Sequence, residues 1–333
     1  MKIAIIGLGG IGNEYLKILK KIDKVKEIYI VDINPINTKS NKRIKFISSV
    51  NFFKKIPNIS HAFICTPSHL HYNASVFLLK NNINVLIEKP FVLKSTQSKN
   101  LINMSIKNRN KCWVMFQNRS NSTIKKLSKF ISSNYFGKTE TIIAKLIWNR
   151  NIKYYSDGWH GKYKYDGGVL VNQAIHLIDV IIYLYGEIDK FTGFISFNKN
   201  KLQAEDLANL VFKTKKNIPI SLIATTRASK DFEMSLDIIG SKRRVKIEGI
   251  ALNKIFIEND KKKVIKKYSF NTQAGHGINH NLIIKEFLKK GNLDKFNLEI
   301  SKNSHLIKLL NSIYNNLIDF NGFKISSKDS ILG

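Results

Sequence analysis

Acidic residues are scarce in this chain. Asp and Glu number 24 against 55 Lys and Arg in 333 residues, a formal net charge of +31. Cysteine is scarcer still, with only Cys65 and Cys112. Two cysteines in apolar, strand-like segments exclude a disulfide framework and point to reduced thiols in a cytoplasmic protein. A long uninterrupted apolar run is missing too. The most apolar stretch, residues 169–185, carries Asn172, Gln173, His176 and Asp179, which argues against a membrane span. No secretory signal is expected, because a structural strand begins at Lys2. The excess of base raises nucleic acid as a partner. Yet the lysines are spread along the whole chain. The runs Lys242-Arg243-Arg244 and Lys261-Lys262-Lys263 are short, and no recognition-helix or RNA-binding signature accompanies them. Lys, Asn and Ile all have A/T-rich codons, so base composition explains much of the bias. The expectation is no nucleic-acid and no membrane partner, with the charge serving to attract anionic small molecules.

What is present begins at once. Ile3 to Ile6 read as a strand buried on both faces, and it breaks into Gly7-Leu8-Gly9-Gly10-Ile11-Gly12. Gly7 allows the tight turn, and Gly9 lets backbone N–H groups approach a pyrophosphate. Gly12 lets the next helix pack against the strand. That helix, from about Ile11 to Lys20, points its positive end at the phosphates. A second strand, residues 27–31, ends in Asp32, about 20 residues past the last glycine, where a carboxylate takes the ribose hydroxyls. A carboxylate repels a 2′-phosphate, and no cation follows until Lys39, with Lys42 next. NAD is therefore expected over NADP.

Strand and helix patterns alternate through the first third, the rhythm of a doubly wound parallel sheet. It ends near Gln117 to Arg119. Beyond Asn121 several strand-like runs alternate apolar and polar residues, which predicts an antiparallel or mixed sheet with one face free for solvent or a partner. A single helix over residues 169–185 interrupts them, and helices return at 279–290 and 301–318. The fold class is an α/β dinucleotide domain over 1–119, followed by an α+β domain over 120–333. Ligands are expected between the two.

Two constellations carry chemistry. Glu88-Lys89-Pro90 stands at the carboxyl end of a predicted strand, where ligands bind in open α/β sheets. The Lys89 ammonium there stabilises a developing alkoxide or relays a proton; the bland alternative is a surface lysine. The proline fixes the turn and is a candidate for a cis bond. The second constellation runs from Asp166-Gly167-Gly168 to Asp179. Asn172 and His176 are four apart and share a helical face, with Asp179 three further on. His176 can take a hydroxyl proton near neutral pH, and Asp179 can orient its ring. A histidine on an apolar helix is more often a core residue. The Asn172, His176 and Asp179 trio lacks further ligands, so no metal is expected.

Together these segments resemble the Gfo/Idh/MocA family (glucose–fructose oxidoreductase / inositol dehydrogenase). The resemblance spans nearly the whole chain. It rests on the Gly7–Gly12 fingerprint, Cys65-Thr66-Pro67-Ser68-His69-Leu70-His71 and Glu88-Lys89-Pro90. Phe116-Gln117-Asn118-Arg119 and Gly167-Gly168 leading to His176 complete it. It implies a Rossmann domain and a C-terminal domain with a large open, mostly antiparallel sheet that builds homo-dimers or homo-tetramers. It implies Lys89 and His176 as catalytic residues. Thr66, Pro67, His71, Glu88, Lys89 and Gln117 join the glycine loop and Asp32 as cofactor contacts. Arg119, Tyr155, Asn172 and His276, with Lys89 and His176, become substrate contacts.

The stretch from Trp148-Asn149-Arg150 through Tyr154-Tyr155, Trp159-His160-Gly161 and Asn172-Gln173 looks most like the nucleotide-sugar branch. Dehydrogenases of that branch oxidise the 3-hydroxyl of UDP-N-acetylglucosamine or of its 6-carboxylate. Many members carry Asp where this chain has Asn172, and relatives often show Arg where His160 stands. Asn172 cannot be a general base and is left to hydrogen-bond a sugar. The implied activity is NAD-dependent oxidation of a sugar secondary alcohol. Two alternatives stay open: a dehydrogenase of inositol, a free sugar or a sugar phosphate, and a non-catalytic NAD-binding regulator.

Overall fold

The computed structural model describes residues 1–34, 41–197, 202–258, 264–269, 279–289 and 293–316. In chain order the first elements are β1 (Lys2–Ile6), α1 (Gly10–Lys20), β2 (Glu27–Asp32), β3 (Ile44–Ser48), α2 (Ser49–Lys54), β4 (His61–Ile64), α3 (His71–Lys80), β5 (Asn84–Ile87), α4 (Ser95–Asn108) and β6 (Cys112–Val114). Next come α5 (Ser122–Ser132), β7 (Thr139–Ile147), α6 (Val169–Asn172), α7 (Ile175–Tyr185), β8 (Ile188–Ser196), β9 (Leu207–Thr214) and β10 (Pro219–Thr225). The last are β11 (Glu233–Gly240), β12 (Arg244–Glu248), β13 (Lys254–Glu258), β14 (Val264–Ser269), α8 (His280–Phe287) and α9 (Leu293–Asn316). The chain divides into two compact units, Met1–Met115 with His280–Ile307, and Phe116–Asn279 with Lys308–Gly333.

The first unit holds a six-stranded sheet in the order β3-β2-β1-β4-β5-β6, and every pairing is parallel. Strands buried on both faces read as continuous apolar runs, as Lys2–Ile6 and His61–Ile64 do. Helix α1 buries Gly12, Tyr15, Leu16 and Leu19, one stripe at helical spacing. The core of this unit corrects the expected domain boundary. Ile283, Ile284, Phe287 and Leu288 pack in one cluster with Ile3, Ile5, Leu19, Ile28 and Phe63. The end of α8 is held by cations: Lys24 Nζ donates to the Leu288 carbonyl at 2.9 Å, and Lys111 Nζ donates to the Lys289 carbonyl. Ammonium groups at a helix C-terminus satisfy carbonyls that lack intrahelical partners. A segment assigned to the second domain on sequence order thus completes the core of the first.

The second unit holds an eight-stranded sheet in the order β14-β13-β12-β11-β7-β10-β9-β8. Only β7 and β10 pair in parallel; the other pairings are antiparallel. Burial alternates along β9 and β10, so one face is covered and the other open. Val211 and Ile223 stand on the open face, and Phe232 just before β11 is also exposed. Strand β14 was not expected. The single helix expected over 169–185 is two, α6 and α7, separated at Gln173-Ala174. There the Ala174 N–H reaches back five residues to the Val169 carbonyl at 2.7 Å, a π-type bond, and the Leu177 N–H bonds only three residues back, to Ala174. Among the described residues no helix is long and apolar enough to cross a membrane.

Candidate active site

The first unit supplies a dinucleotide cradle. Gly7 has φ +90°, and a Cβ there would lie 2.8 Å from the Cys65 carbonyl oxygen. A Cβ on Gly12 would lie 2.1 Å from the Gly7 carbonyl oxygen. Both positions need glycine for backbone packing. Gly9 differs: a Cβ there meets nothing within 4 Å, so the space in front of it is open. Gly9 is also the N-cap of α1, gives no side-chain cap, and is followed by a first turn without acid. The helix N-terminus is therefore left with donors for an anion.

Asp32 ties this loop down. Its Oδ2 accepts from Leu8 N at 2.7 Å and its Oδ1 from Asn34 N at 3.0 Å. Each oxygen keeps a lone pair for a ribose hydroxyl. Thr66 Oγ1 is buried with no hydrogen-bond partner among the described residues. An open cradle, an uncapped helix and an orphaned hydroxyl fit a dinucleotide. Lys39 lies outside the described residues.

Lys89 follows β5 and is partly buried between two fixed neighbours. On one side Glu88 Oε1 accepts from Tyr15 OH at 2.5 Å, Glu88 Oε2 accepts from Lys89 N at 3.2 Å, and His280 Nε2 stands 3.8 Å from Oε1. On the other side the Lys89–Pro90 bond is cis. His71, buried, has Nδ1 2.8 Å from the Pro90 carbonyl oxygen and Nε2 2.8 Å from that of Thr66. Burial, as the main cause, lowers the His71 pKa. The neutral ring has one N–H, which it offers to one of two loops, after β4 and after β5. His71 thus sits between the loops that carry Thr66 and Lys89 and, when neutral, holds one of them by its N–H. Tyr15 was missed in the sequence; its signal is its place three residues past Gly12 on the buried face of α1.

The second unit supplies a polar cluster at the break between α6 and α7. Asn172 Nδ2 donates to Asp166 Oδ1 at 2.6 Å and to Tyr154 OH at 3.2 Å, and Gln173 Nε2 also donates to Tyr154 OH at 3.2 Å. The Tyr154 ring meets those of Tyr155 at 5.0 Å and His160 at 4.2 Å. Tyr155 OH pairs with Thr226 Oγ1 at 2.9 Å. His176 is partly buried in the first turn of α7. Gln117 is buried, and its Oε1 has no partner among the described residues.

Asp179, whose spacing offers it to the His176 ring, holds Arg119 in a bidentate pair. Arg119 Nε lies 3.1 Å from both carboxylate oxygens, and Nη2 contacts Oδ1. The guanidinium is 5.0 Å from the Phe116 ring and 5.9 Å from that of Tyr183. Arg119 is therefore anchored by α7. His276 lies outside the described residues.

Glu205 was not foreseen. It is fully buried, its Oε1 accepts from Leu170 N at 2.9 Å and Tyr314 OH at 2.7 Å, and its Oε2 is without a partner among the described residues. A Cβ on Gly168 would lie 1.9 Å from that oxygen. Burial pushes the Glu205 pKa up to about 8. This carboxyl braces the start of the helix pair bearing Asn172 and His176. Its one sequence signal is the adjacent acids Glu205-Asp206 in a chain poor in acid. Among the described residues no group of three or more His, Cys, Asp or Glu is arranged to hold a metal.

A cradle for a dinucleotide, with a lysine fixed at the carboxyl edge of the parallel sheet, defines an NAD-binding oxidoreductase. Residues 1–116 match the model of the oxidoreductase family with an NAD-binding Rossmann fold, and residues 124–246 match the GFO/IDH/MocA C-terminal domain. The chain belongs to the Gfo/Idh/MocA family of oxidoreductases. It is 22% identical over 259 residues to the myo-inositol 2-dehydrogenase of Thermotoga maritima, covering 74% of each chain. Its fold matches the WlbA dehydrogenase from Bordetella pertussis, solved with NADH and UDP-GlcNAcA. That match has a TM-score of 0.78 and 20% identity, over 94% of this chain and 95% of the other. The UDP-N-acetylglucosamine 3-dehydrogenase GnnA from Acidithiobacillus ferrooxidans matches with a TM-score of 0.70 at 15% identity, over 93% and 95%.

Proposed function

We propose that the protein is an NAD-dependent dehydrogenase that oxidises a secondary hydroxyl of a sugar, at C3 of a UDP-N-acetylhexosamine or its uronate. The observation that carries the reading is the Lys89 loop. Lys89 directly follows a parallel strand at the sheet's carboxyl edge, and its backbone is held on one side by Glu88, which accepts from Lys89 N, and on the other by Pro90, whose carbonyl meets His71. Ligands of doubly wound sheets bind at that edge. The nucleotide-sugar preference is supported by the Asn172, Gln173, Tyr154 cluster, whose amides suit sugar hydroxyls, and by the UDP-sugar ligand and activity named for two proteins of the same fold.

Bound NAD supplies the hydride acceptor. His176 takes the proton of the reacting hydroxyl, and Lys89 stabilises the negative charge that builds on its oxygen. Asn172 orients the sugar and moves no proton. Thr66 and Gln117, each with an orphaned oxygen, hold the cofactor. Asp32 favours NAD over NADP through its charge. The open face of the second unit's sheet joins copies into a dimer or tetramer.

The test is a substrate panel read as NADH formation, with Lys89→Ala and His176→Ala alongside. Each variant is expected to lose about a hundredfold or more in kcat, the range for a lost general acid–base group. Turnover of free inositol but not of UDP-sugars would move the reading to a polyol dehydrogenase. No NADH from any sugar, with intact NAD binding, would move it to a regulator.

A further inference from the structure

The second unit contains a cavity of about 450 Å³ at the ends of β7, β8 and β10. That volume lies in the range of small-molecule sites. Two arginines, Arg150 and Arg227, form part of its wall, against one carboxylate, Asp206, among the described residues. We propose that this cavity is a diphosphate subsite that receives the nucleoside diphosphate end of the substrate. This rests on the nucleotide-sugar reading above.

Both guanidiniums are oriented by acceptors and keep donors in reserve. Arg227 donates to Asp206 Oδ1 from Nε at 2.9 Å and from Nη2 at 2.6 Å, and Nη2 also donates to Ser196 Oγ at 3.0 Å. Its Nη1 has no acceptor among the described residues. Arg150 donates from Nη1 to the Asn149 carbonyl at 2.5 Å and to Asp231 Oδ1 at 3.3 Å. Its Nε and Nη2 have no acceptor among the described residues. Its guanidinium lies 4.9 Å from the Trp148 ring and 5.4 Å from that of Tyr154. An arginine held in plane with free N–H groups is suited to phosphoryl oxygens, because the ordering is done before the ligand arrives.

Asp206 is paired with Arg227 and Asp231 is not part of the wall, so the wall carries net positive charge. The lining also includes Ile152, Phe197 and Leu202, apolar side chains that can cover a flat base. Two adjacent tyrosines connect this cavity to the sugar end. Tyr155 lines it and pairs with Thr226, while Tyr154 receives Asn172 and Gln173. A sugar on Asn172 therefore sends its anomeric diphosphate past the tyrosine pair toward the two arginines.

The experiment is calorimetric titration of the full chain with UDP, inorganic pyrophosphate, uridine and NADH. It is run on the wild type, Arg150→Gln, Arg227→Gln and the double variant. UDP affinity is expected to fall about tenfold in each single variant and about a hundredfold in the double, as for a lost charge-assisted contact each time. Pyrophosphate should follow the same order, uridine should change little, and NADH affinity should hold. Arg150→Gln leaves the Arg227–Asp206 pair intact, so it reports even if Arg227→Gln misfolds; an unchanged circular dichroism spectrum and thermal unfolding curve mark a folded protein. Equal UDP affinity in the wild type and a folded double variant overturns the subsite and leaves the substrate reading standing. A wild type that turns over a free polyol and binds neither UDP nor pyrophosphate overturns both.

Discussion

The two units recognise ligands by different means. In the first, backbone does most of it: a glycine loop, an uncapped helix end and two loops packed on either side of His71. In the second, the proposed function assigns it to side chains: Tyr154, Asn172, Gln173 and two arginines set on one end of an open sheet. A backbone site tolerates little change in shape, because a single added Cβ strikes a carbonyl. A side-chain site can change its ligand by exchanging one residue. The first unit therefore fixes the kind of cofactor, and the second leaves the substrate free to vary on the same frame.

The contrast is sharpened most by breaking the buried ion pair of the second unit. The carboxylate of Asp179 is 1% exposed and the side chain of Arg119 is 11% exposed. Asp179→Ala strands a buried guanidinium, and a loss of about 3–5 kcal/mol is expected in denaturant unfolding. Next is Glu205, whose pKa in the fold, about 8, lies above its ordinary value of 4.5. A raised carboxyl pKa means full stability below about pH 4.5, a decline as pH rises to about 8, and a plateau beyond. Glu205→Gln removes this slope. The gap between variant and wild type should open by about 5 kcal/mol across that window, read from unfolding midpoints at each pH.

Two glycines test the backbone half. Gly12→Ala places a methyl against the Gly7 carbonyl, so it should cost about 2 kcal/mol in stability and abolish tight NADH binding. Gly9→Ala meets open space; thermal stability should hold while NADH affinity drops about tenfold, or about 1.4 kcal/mol. Equal destabilisation by both would contradict the division between a packing glycine and a cradle glycine. The smallest effect is at Asp32. Asp32→Asn removes the charge but can keep an acceptor for the Leu8 N–H, and the preference for NADH over NADPH should narrow by about 1 kcal/mol.

The same contrast explains what the sequence made legible. The parallel sheet could be read because strands buried on both faces are apolar runs, and the cradle because only glycine fits at Gly7 and Gly12. The helix break at Gln173-Ala174 was hidden: no glycine or proline marks it, and the apolar pattern runs straight through. Strand β14, Val-Ile-Lys-Lys-Tyr-Ser, was hidden because two adjacent lysines spoil its alternation. The assignment of α8 to the first unit was hidden for another reason. Its apolar stripe says that it packs, not against what. Arg119 with Asp179, and Glu205 with Tyr314, join residues far apart in the chain, and no local pattern announces such pairs.

The most direct measurement uses UDP-N-acetylglucosamine, or its uronate, carrying deuterium at C3, incubated with the wild-type protein and NAD. Deuterium is expected on the reduced nicotinamide, with a slowed rate relative to the protium substrate and loss of both in Lys89→Ala or His176→Ala. Deuterium that stays on the sugar while NADH forms, or equal turnover in both variants, would contradict this reading.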